Sequence, residues 1–171
     1  MEYAGNRIEG WMGDEELAYL YSQATQMKQV VEIVSWLGRS SHALLSGCKG
    51  NVYCIDHFIG SPEDETKDLA KTRNIHREFF KNVGMFPNLT CMKMESLDAV
   101  RFFSDKSIDM IFIDGGHDEK SFRADVYAWL PKCRKLFCGH DFNHPGVQKV
   151  VETIFFNEYK VPSGNIWAVK I

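Results

Sequence analysis

Carboxylates and imidazoles recur at a few places in this 171-residue chain, each just after a short apolar run. Asp56-His57 follows one run, Glu95-Ser96 a second, Asp114-Gly115-Gly116-His117 a third, and Gly139-His140-Asp141-Phe142-Asn143-His144 a fourth. If the last two runs are adjacent strands, two carboxylates and several imidazoles leave the sheet at one edge. Oxygen-rich ligation suits Mg²⁺, and added imidazole suits a transition metal such as Mn²⁺, Fe²⁺ or Zn²⁺. Taken singly, Asp114 and Asp141 would only cap the helices that follow, and His144 would be solvated beside Pro145; gathered at one edge they make a functional cluster. Asp56 is placed to accept both hydroxyls of a ribose, as in dinucleotide sites, with a solvated turn aspartate as the simpler alternative. The stretch Glu32-Ile33-Val34-Ser35-Trp36-Leu37-Gly38-Arg39-Ser40-Ser41 turns from a strand into a helix ending near Gly47. Amides at such a helix start can meet a ligand's carboxylate or phosphate. Glu95-Ser96 reads equally as a ligand contact or a plain helix start.

These residues need a scaffold that brings strand ends together. Apolar runs at 30–34, 52–55, 89–94, 110–113 and 136–138 read as strands, each continuous rather than alternating. Continuous runs predict burial on both faces, as in a parallel sheet covered by helices. Asp14 is placed to cap a first helix carrying Leu17, Leu20, Tyr21 and Ala24 on one face. Ser61-Pro62 predicts the start of a helical stretch running to about Lys81. Phe122, Val126, Trp129 and Leu130 share a face of a further helix that Pro131 stops. After Pro145, Val147, Val150, Val151, Ile154 and Phe155 repeat with helical spacing. Residues 165–171 read as a last strand. The alternation predicts a doubly wound α/β fold in one domain over 1–171, with 1–28 a helical segment packed on it. Ligands of such folds lie outside the carboxyl ends of the strands, near the switch in strand order.

The composition narrows the classes of partner. An apolar fraction of 44% argues for a packed core, and a net charge of -3 supplies no field for nucleic acid or an anionic membrane. A small or neutral substrate suits that balance better. The five cysteines form no CxxC pair; Cys54, Cys91 and Cys138 fall inside strand-like runs, where a free thiol is a small buried hydrophobe. With no secretory h-region and no apolar stretch near the ~20 residues that span a bilayer, the expected setting is the cytoplasm.

Val31-Glu32-Ile33-Val34-Ser35-Trp36-Leu37-Gly38-Arg39-Ser40 resembles motif I of class I S-adenosylmethionine-dependent methyltransferases. Val52-Tyr53-Cys54-Ile55-Asp56 is similar to their second strand with its ribose-binding acid. Phe112-Ile113-Asp114-Gly115-Gly116-His117-Asp118 and Gly139-His140-Asp141-Phe142-Asn143-His144-Pro145-Gly146-Val147 resemble the small branch found beside glycosyltransferases and among macrolide-sugar O-methyltransferases, as does Glu9-Gly10-Trp11-Met12 near the start. The resemblance runs from about residue 8 to the end. It implies a Rossmann-like, seven-stranded, mostly parallel sheet with helices on both faces. It also implies S-adenosylmethionine lying across Glu32, Ser35, Trp36, Gly38, Ser40, Asp56, His57, Glu95, Ser96 and Asp114. In metal-dependent relatives a carboxylate after the fourth strand and a pair of residues after the fifth hold a divalent ion; the matching positions are Asp114, His140 and Asp141, with Mg²⁺ or Mn²⁺ as the implied ion.

Three positions depart from that pattern. His140 stands where relatives often have a carboxylate or amide. Val34 stands where motif I has glycine, and a Cβ there would crowd the methionine end of the cofactor. Lys132-Cys133-Arg134-Lys135 replaces the usual glycine-rich turn, a local variation. The expected activity is O-methylation of a small-molecule hydroxyl, with a sugar or glycan precursor as acceptor. His117 is the first candidate for general base, and His140 an equal one without a metal. Two other functions fit part of the same residues: a cofactor-binding protein without catalysis, and a metal-dependent hydroxylase-like enzyme using His117, His140 and Asp141. A chain this short shows no lid, so a neighbouring subunit of a homo-oligomer is the expected source of any missing wall.

Overall fold

The computed structural model describes residues 4–61 and 65–171. A helix α1 (Asp14–Ala24) precedes strand β1 (Gln29–Ile33), and then α2 (Arg39–Gly47), β2 (Asn51–Ile55), α3 (Thr66–Thr72), α4 (Ile75–Val83) and β3 (Leu89–Met92) follow. The second half comprises α5 (Ser96–Ala99), β4 (Ile108–Ile113), α6 (Glu119–Trp129), β5 (Cys133–Gly139), α7 (Pro145–Phe155), β6 (Tyr159–Ser163) and β7 (Ile166–Lys170). The seven strands form one sheet in the order β3-β2-β1-β4-β5-β7-β6. β1 to β5 pair in parallel, whereas β7 runs antiparallel to both β5 and β6. The order reverses between β1 and β4, which is the switch point of a doubly wound sheet.

Continuous apolar runs do mean burial on both faces. Met110 and Phe112 of β4 join the core under α1, α2 and α4, while Ile111 and Ile113 join the opposite core under α6 and α7. Of the three strand cysteines, Cys54 and Cys138 are buried and Cys91 is half-buried. Phe122, Val126 and Trp129 bury the inner face of α6, and Leu130 with Pro131 forms a single 3₁₀ turn that ends it.

Several local expectations are corrected. Gly13, not Asp14, is the N-cap of α1: it is extended, and its amide donates to Glu16 Oε2 at 2.8 Å, so the acid three residues on closes the helix start. The start expected at Pro62 lies outside the described residues, although Ser61 is not helical. The stretch leading to Lys81 is two helices, broken at Arg73, with Asn74 capping α4 through the Arg77 amide. Val34 leaves β1 and turns into the left-handed region. Strand β6, the seventh strand that the resemblance implied but the apolar runs did not place, is a largely exposed edge strand carrying Pro162, a residue an edge strand tolerates.

Arg134 and Lys135 have a structural task. Both meet buried Asp109 Oδ1, at 2.7 and 2.8 Å, while Asp109 Oδ2 accepts the Lys28 and Gln29 amides. Burial would raise this carboxyl, but the two cations and the amides hold it well below the usual range. The cluster pins β1, β4 and β5 at the end of the sheet opposite the one that carries the polar residues.

Candidate functional site

A cavity of about 790 Å³ opens at the carboxyl ends of β1, β2 and β4, a volume ordinary for a small-molecule site. Ser35, Trp36, Ser40, Asp56, His57, Glu95, Ser96, Asp114, His117, His140 and Asp141 all face it. Glu32 and Gly38 do not. Gly38 is instead required by packing and conformation: it has φ 90°, and a β-carbon there would press on Val83 and Phe79. Glu32 is fully buried behind the turn, where Oε2 accepts the Ser35 and Ser41 hydroxyls and Oε1 has no partner among the described residues. Burial pushes its carboxyl up.

The turn after β1 is held by Asp56. Its Oδ2 accepts the amides of Ser35 (3.0 Å) and Trp36 (2.8 Å), and its Oδ1 accepts that of Phe58 (2.5 Å). This bracket fixes the mouth of β1 against β2 and leaves Asp56 only 4% exposed. Trp36 has φ 48°, and its indole nitrogen is buried without a partner among the described residues.

On the far wall, Ser96 does not project free toward a ligand. Its hydroxyl donates to Asp125 Oδ1 at 2.5 Å and accepts the Trp129 indole N–H at 2.8 Å. Asp125 also lines the cavity, and its burial pushes its carboxyl up. The sequence alone did not single it out. Its signal was an acid directly beside the buried stripe of Phe122 and Val126, which ordinarily reads as a helix flank. Glu9, Trp11 and Met12, which the sequence marks only through the family resemblance, also line the cavity. The guanidinium of Arg39 holds this segment by donating to the carbonyls of Asn6, Ile8 and Met12.

The strand-end cluster forms as the spacing predicts, because Ile113 pairs with Gly139 and the next residues emerge side by side. Asp114, His140 and Asp141 each offer one ligand atom, all within 4.8 Å of one another. His140 Nδ1 lies 3.2 Å from Asp141 Oδ1 and 3.6 Å from Asp114 Oδ1, while its Nε2 meets Glu16 Oε1 at 3.0 Å. Burial alone would lower this imidazole, but hydrogen bonds to Asp141 and Glu16 outweigh it and push it up to about 10. Asp114, desolvated and beside Asp141, is pushed up to about 7. Asp141 also resists burial and is held well below the usual range by His117 and His140.

His117 is not in the converging set. Its Nε2 is hydrogen-bonded to Asp141 Oδ2 at 2.8 Å, and its ring stacks on His144 with centroids 4.8 Å apart. The group that converges therefore comprises two carboxylates and one imidazole, rather than two imidazoles and one carboxylate. The separations of 3.2 and 3.6 Å between His140 Nδ1 and the two carboxylates suit bonds of about 2.0–2.2 Å to a common ion. The outer nitrogen of His140 on a carboxylate is the usual support of a metal-bound imidazole.

Comparison with known proteins agrees with the fold. A family model described as a methyltransferase domain matches residues 31–136. No curated protein matches the sequence. Among solved structures, an O-methyltransferase from Bacillus cereus in complex with S-adenosylhomocysteine is 18% identical, with a TM-score of 0.63 over 98% of this chain and 86% of its own. An S-adenosylhomocysteine-bound methyltransferase from Podospora anserina is 14% identical, with a TM-score of 0.63 over 92% and 78%. The TDP-rhamnose 3′-O-methyltransferase of calicheamicin biosynthesis is 12% identical, with a TM-score of 0.60 over 91% and 76%. At such identities the likeness is one of fold. No helix among the described residues is long and apolar enough to cross a membrane.

Proposed function

We infer the activity from one premise: the chain belongs to the methyltransferase-domain family, matched over residues 31–136. It transfers the methyl group of S-adenosylmethionine to a hydroxyl of a small molecule, with a sugar or glycan precursor as the acceptor class. The observation that carries this is the meeting, in one cavity, of the Asp56-bracketed turn and the Asp114–His140–Asp141 cluster.

Each side of the cavity has a part in the transfer. Ser35, Trp36 and Ser40 bound the cofactor's methionine end. Asp56 and His57 face the ribose, Asp56 through the capacity left on Oδ1 after one amide. Glu95, Ser96 and Asp125 form the wall for the base. Displacement at a sulfonium needs the acceptor oxygen aligned with the methyl group and its proton removed. His117 takes that proton, and Asp141 on its Nε2 stabilises the imidazolium that results. His140 is unsuited to that role, because both of its ring nitrogens face carboxylates. A Mg²⁺ or Mn²⁺ ion, when bound, would be held by Asp114, His140 Nδ1 and Asp141 and would polarise the acceptor hydroxyl.

The test is direct. Calorimetry should show S-adenosylhomocysteine binding, and a panel of nucleotide sugars and other polyols with methyl-labelled cofactor should give a product heavier by one labelled methyl. Absence of cofactor binding would overturn the assignment. Methylation at nitrogen, or of a macromolecule only, would overturn the acceptor class.

A further inference from the structure

Glu16 of α1 reaches the strand-end cluster from a buried position, 7% exposed. Its Oε2 accepts the Gly13 amide, and its Oε1 accepts both the Asn165 amide at 2.8 Å and His140 Nε2 at 3.0 Å. The β6–β7 turn is seated directly on it, since a β-carbon at Gly164 would fall 2.3 Å from Oε1. The side chain is therefore covered by that turn and held by three hydrogen bonds.

An ionised carboxylate only accepts. With Glu16 on Nε2, the hydrogen of that contact must come from the ring, and the opposite nitrogen, Nδ1, is the one turned toward Asp114 and Asp141. An imidazole torsion is broad and roughly two-fold, so nothing intrinsic to His140 selects this face over its flip. We propose that Glu16 is a positioning residue for the ion site: it fixes the His140 ring so that Nδ1 converges with Asp114 and Asp141, making occupancy of the cluster depend on the seating of helix α1. This rests on the reading of Asp114, His140 and Asp141 as ion ligands.

The experiment uses the full chain and Mn²⁺, followed by electron paramagnetic resonance, with S-adenosylhomocysteine calorimetry in parallel. Glu16→Leu removes the acceptor; Glu16→Gln keeps an oxygen for the ring and supplies a milder variant should the first fail to fold. Partners of this kind change metal affinity by roughly 10–100-fold. We expect Glu16→Leu to weaken Mn²⁺ binding by that factor, Glu16→Gln by less, and S-adenosylhomocysteine binding to stay within about twofold in both. Mn²⁺ affinity equal to the parent's would overturn the proposal. So would parallel loss of Mn²⁺ and S-adenosylhomocysteine binding, which marks a general structural role. Should the parent itself bind no Mn²⁺, the ion reading fails, and a crystal structure of Glu16→Leu decides the positioning role. A rotated His140 ring would uphold that role, and an unmoved one would overturn it.

Discussion

Val34 packs over Gly115: its Cγ2 lies 3.3 Å from where a β-carbon on that glycine would stand, so the two residues set the depth of the cleft between β1 and β4. Val34 also has φ 65°, a conformation a β-branched residue rarely adopts. Left-handed backbone costs an L-residue on the order of 1–2 kcal/mol, against about 0.5–1 kcal/mol for the entropy of glycine. Val34→Gly is thus expected to tighten S-adenosylhomocysteine binding, while the side chain's lost contacts with the core offset the relief of backbone strain. Weaker binding in calorimetry would show that the valine methyls contact the ligand favourably.

Asp56 carries more than a ligand contact. Removing its carboxylate in Asp56→Ala leaves the amides of Ser35, Trp36 and Phe58 without their acceptor. An unmet buried group costs about 1–3 kcal/mol, so a loss of roughly 3 kcal/mol in urea unfolding is expected, with S-adenosylhomocysteine affinity down at least tenfold. Unchanged stability would mean that water or another group satisfies those amides.

His117→Ala should lower turnover by roughly 10²–10⁴-fold, the range for a lost general base, while leaving S-adenosylhomocysteine affinity near the parent's. A variant that turns over normally would move the base elsewhere.

An ion at the cluster must displace the proton that His140 retains up to about pH 10, and it meets an Asp114 that ionises only near 7. Mn²⁺ binding should therefore strengthen as pH rises through 7 and should release protons, seen as a buffer-dependent heat. Asp141→Asn should weaken it far more than it weakens S-adenosylhomocysteine. Binding indifferent to pH would exclude these ligands.

The same imidazole makes the ion-free protein sensitive to alkali. Its pKa is raised from 6.5 to about 10 on folding, so its contribution is full below 6.5 and is lost as pH climbs through 10. Asp141 and Glu16, both lowered, act oppositely: their contribution is full above the ordinary carboxylate range and is lost in acid. Melting temperature should fall between about pH 7 and 10, and His140→Asn should flatten that limb. A parent curve already flat there would disprove the coupling.

Much of this was legible in the sequence because strands buried on both faces appear as short continuous apolar runs, and their length and alternation with helical segments pointed to a parallel sheet. Strand order brought two carboxylates and several imidazoles to one edge, and the family resemblance singled out Asp114, His140 and Asp141 among them. What stayed hidden depends on contacts between distant residues. Glu16 reads as one more acid in a helix start. Pro162 argues against a strand until β6 is known to be an edge. Gly38 looks like a ligand-approach glycine until Phe79 and Val83 are found beneath it. Arg134 and Lys135 look like a degraded turn because their partner, Asp109, sits on another strand.

The contacts of Glu16 span 124 residues to His140 and 149 to Asn165. Closing loops of that length is slow relative to pairing neighbouring strands, because the chain entropy must be lost before the contact rewards it. The nucleoside half of the cleft, built from β1, α2 and β2, is local by comparison. Maturation of this protein is therefore expected to proceed from one end of its cleft to the other, with competence to hold an ion arriving last.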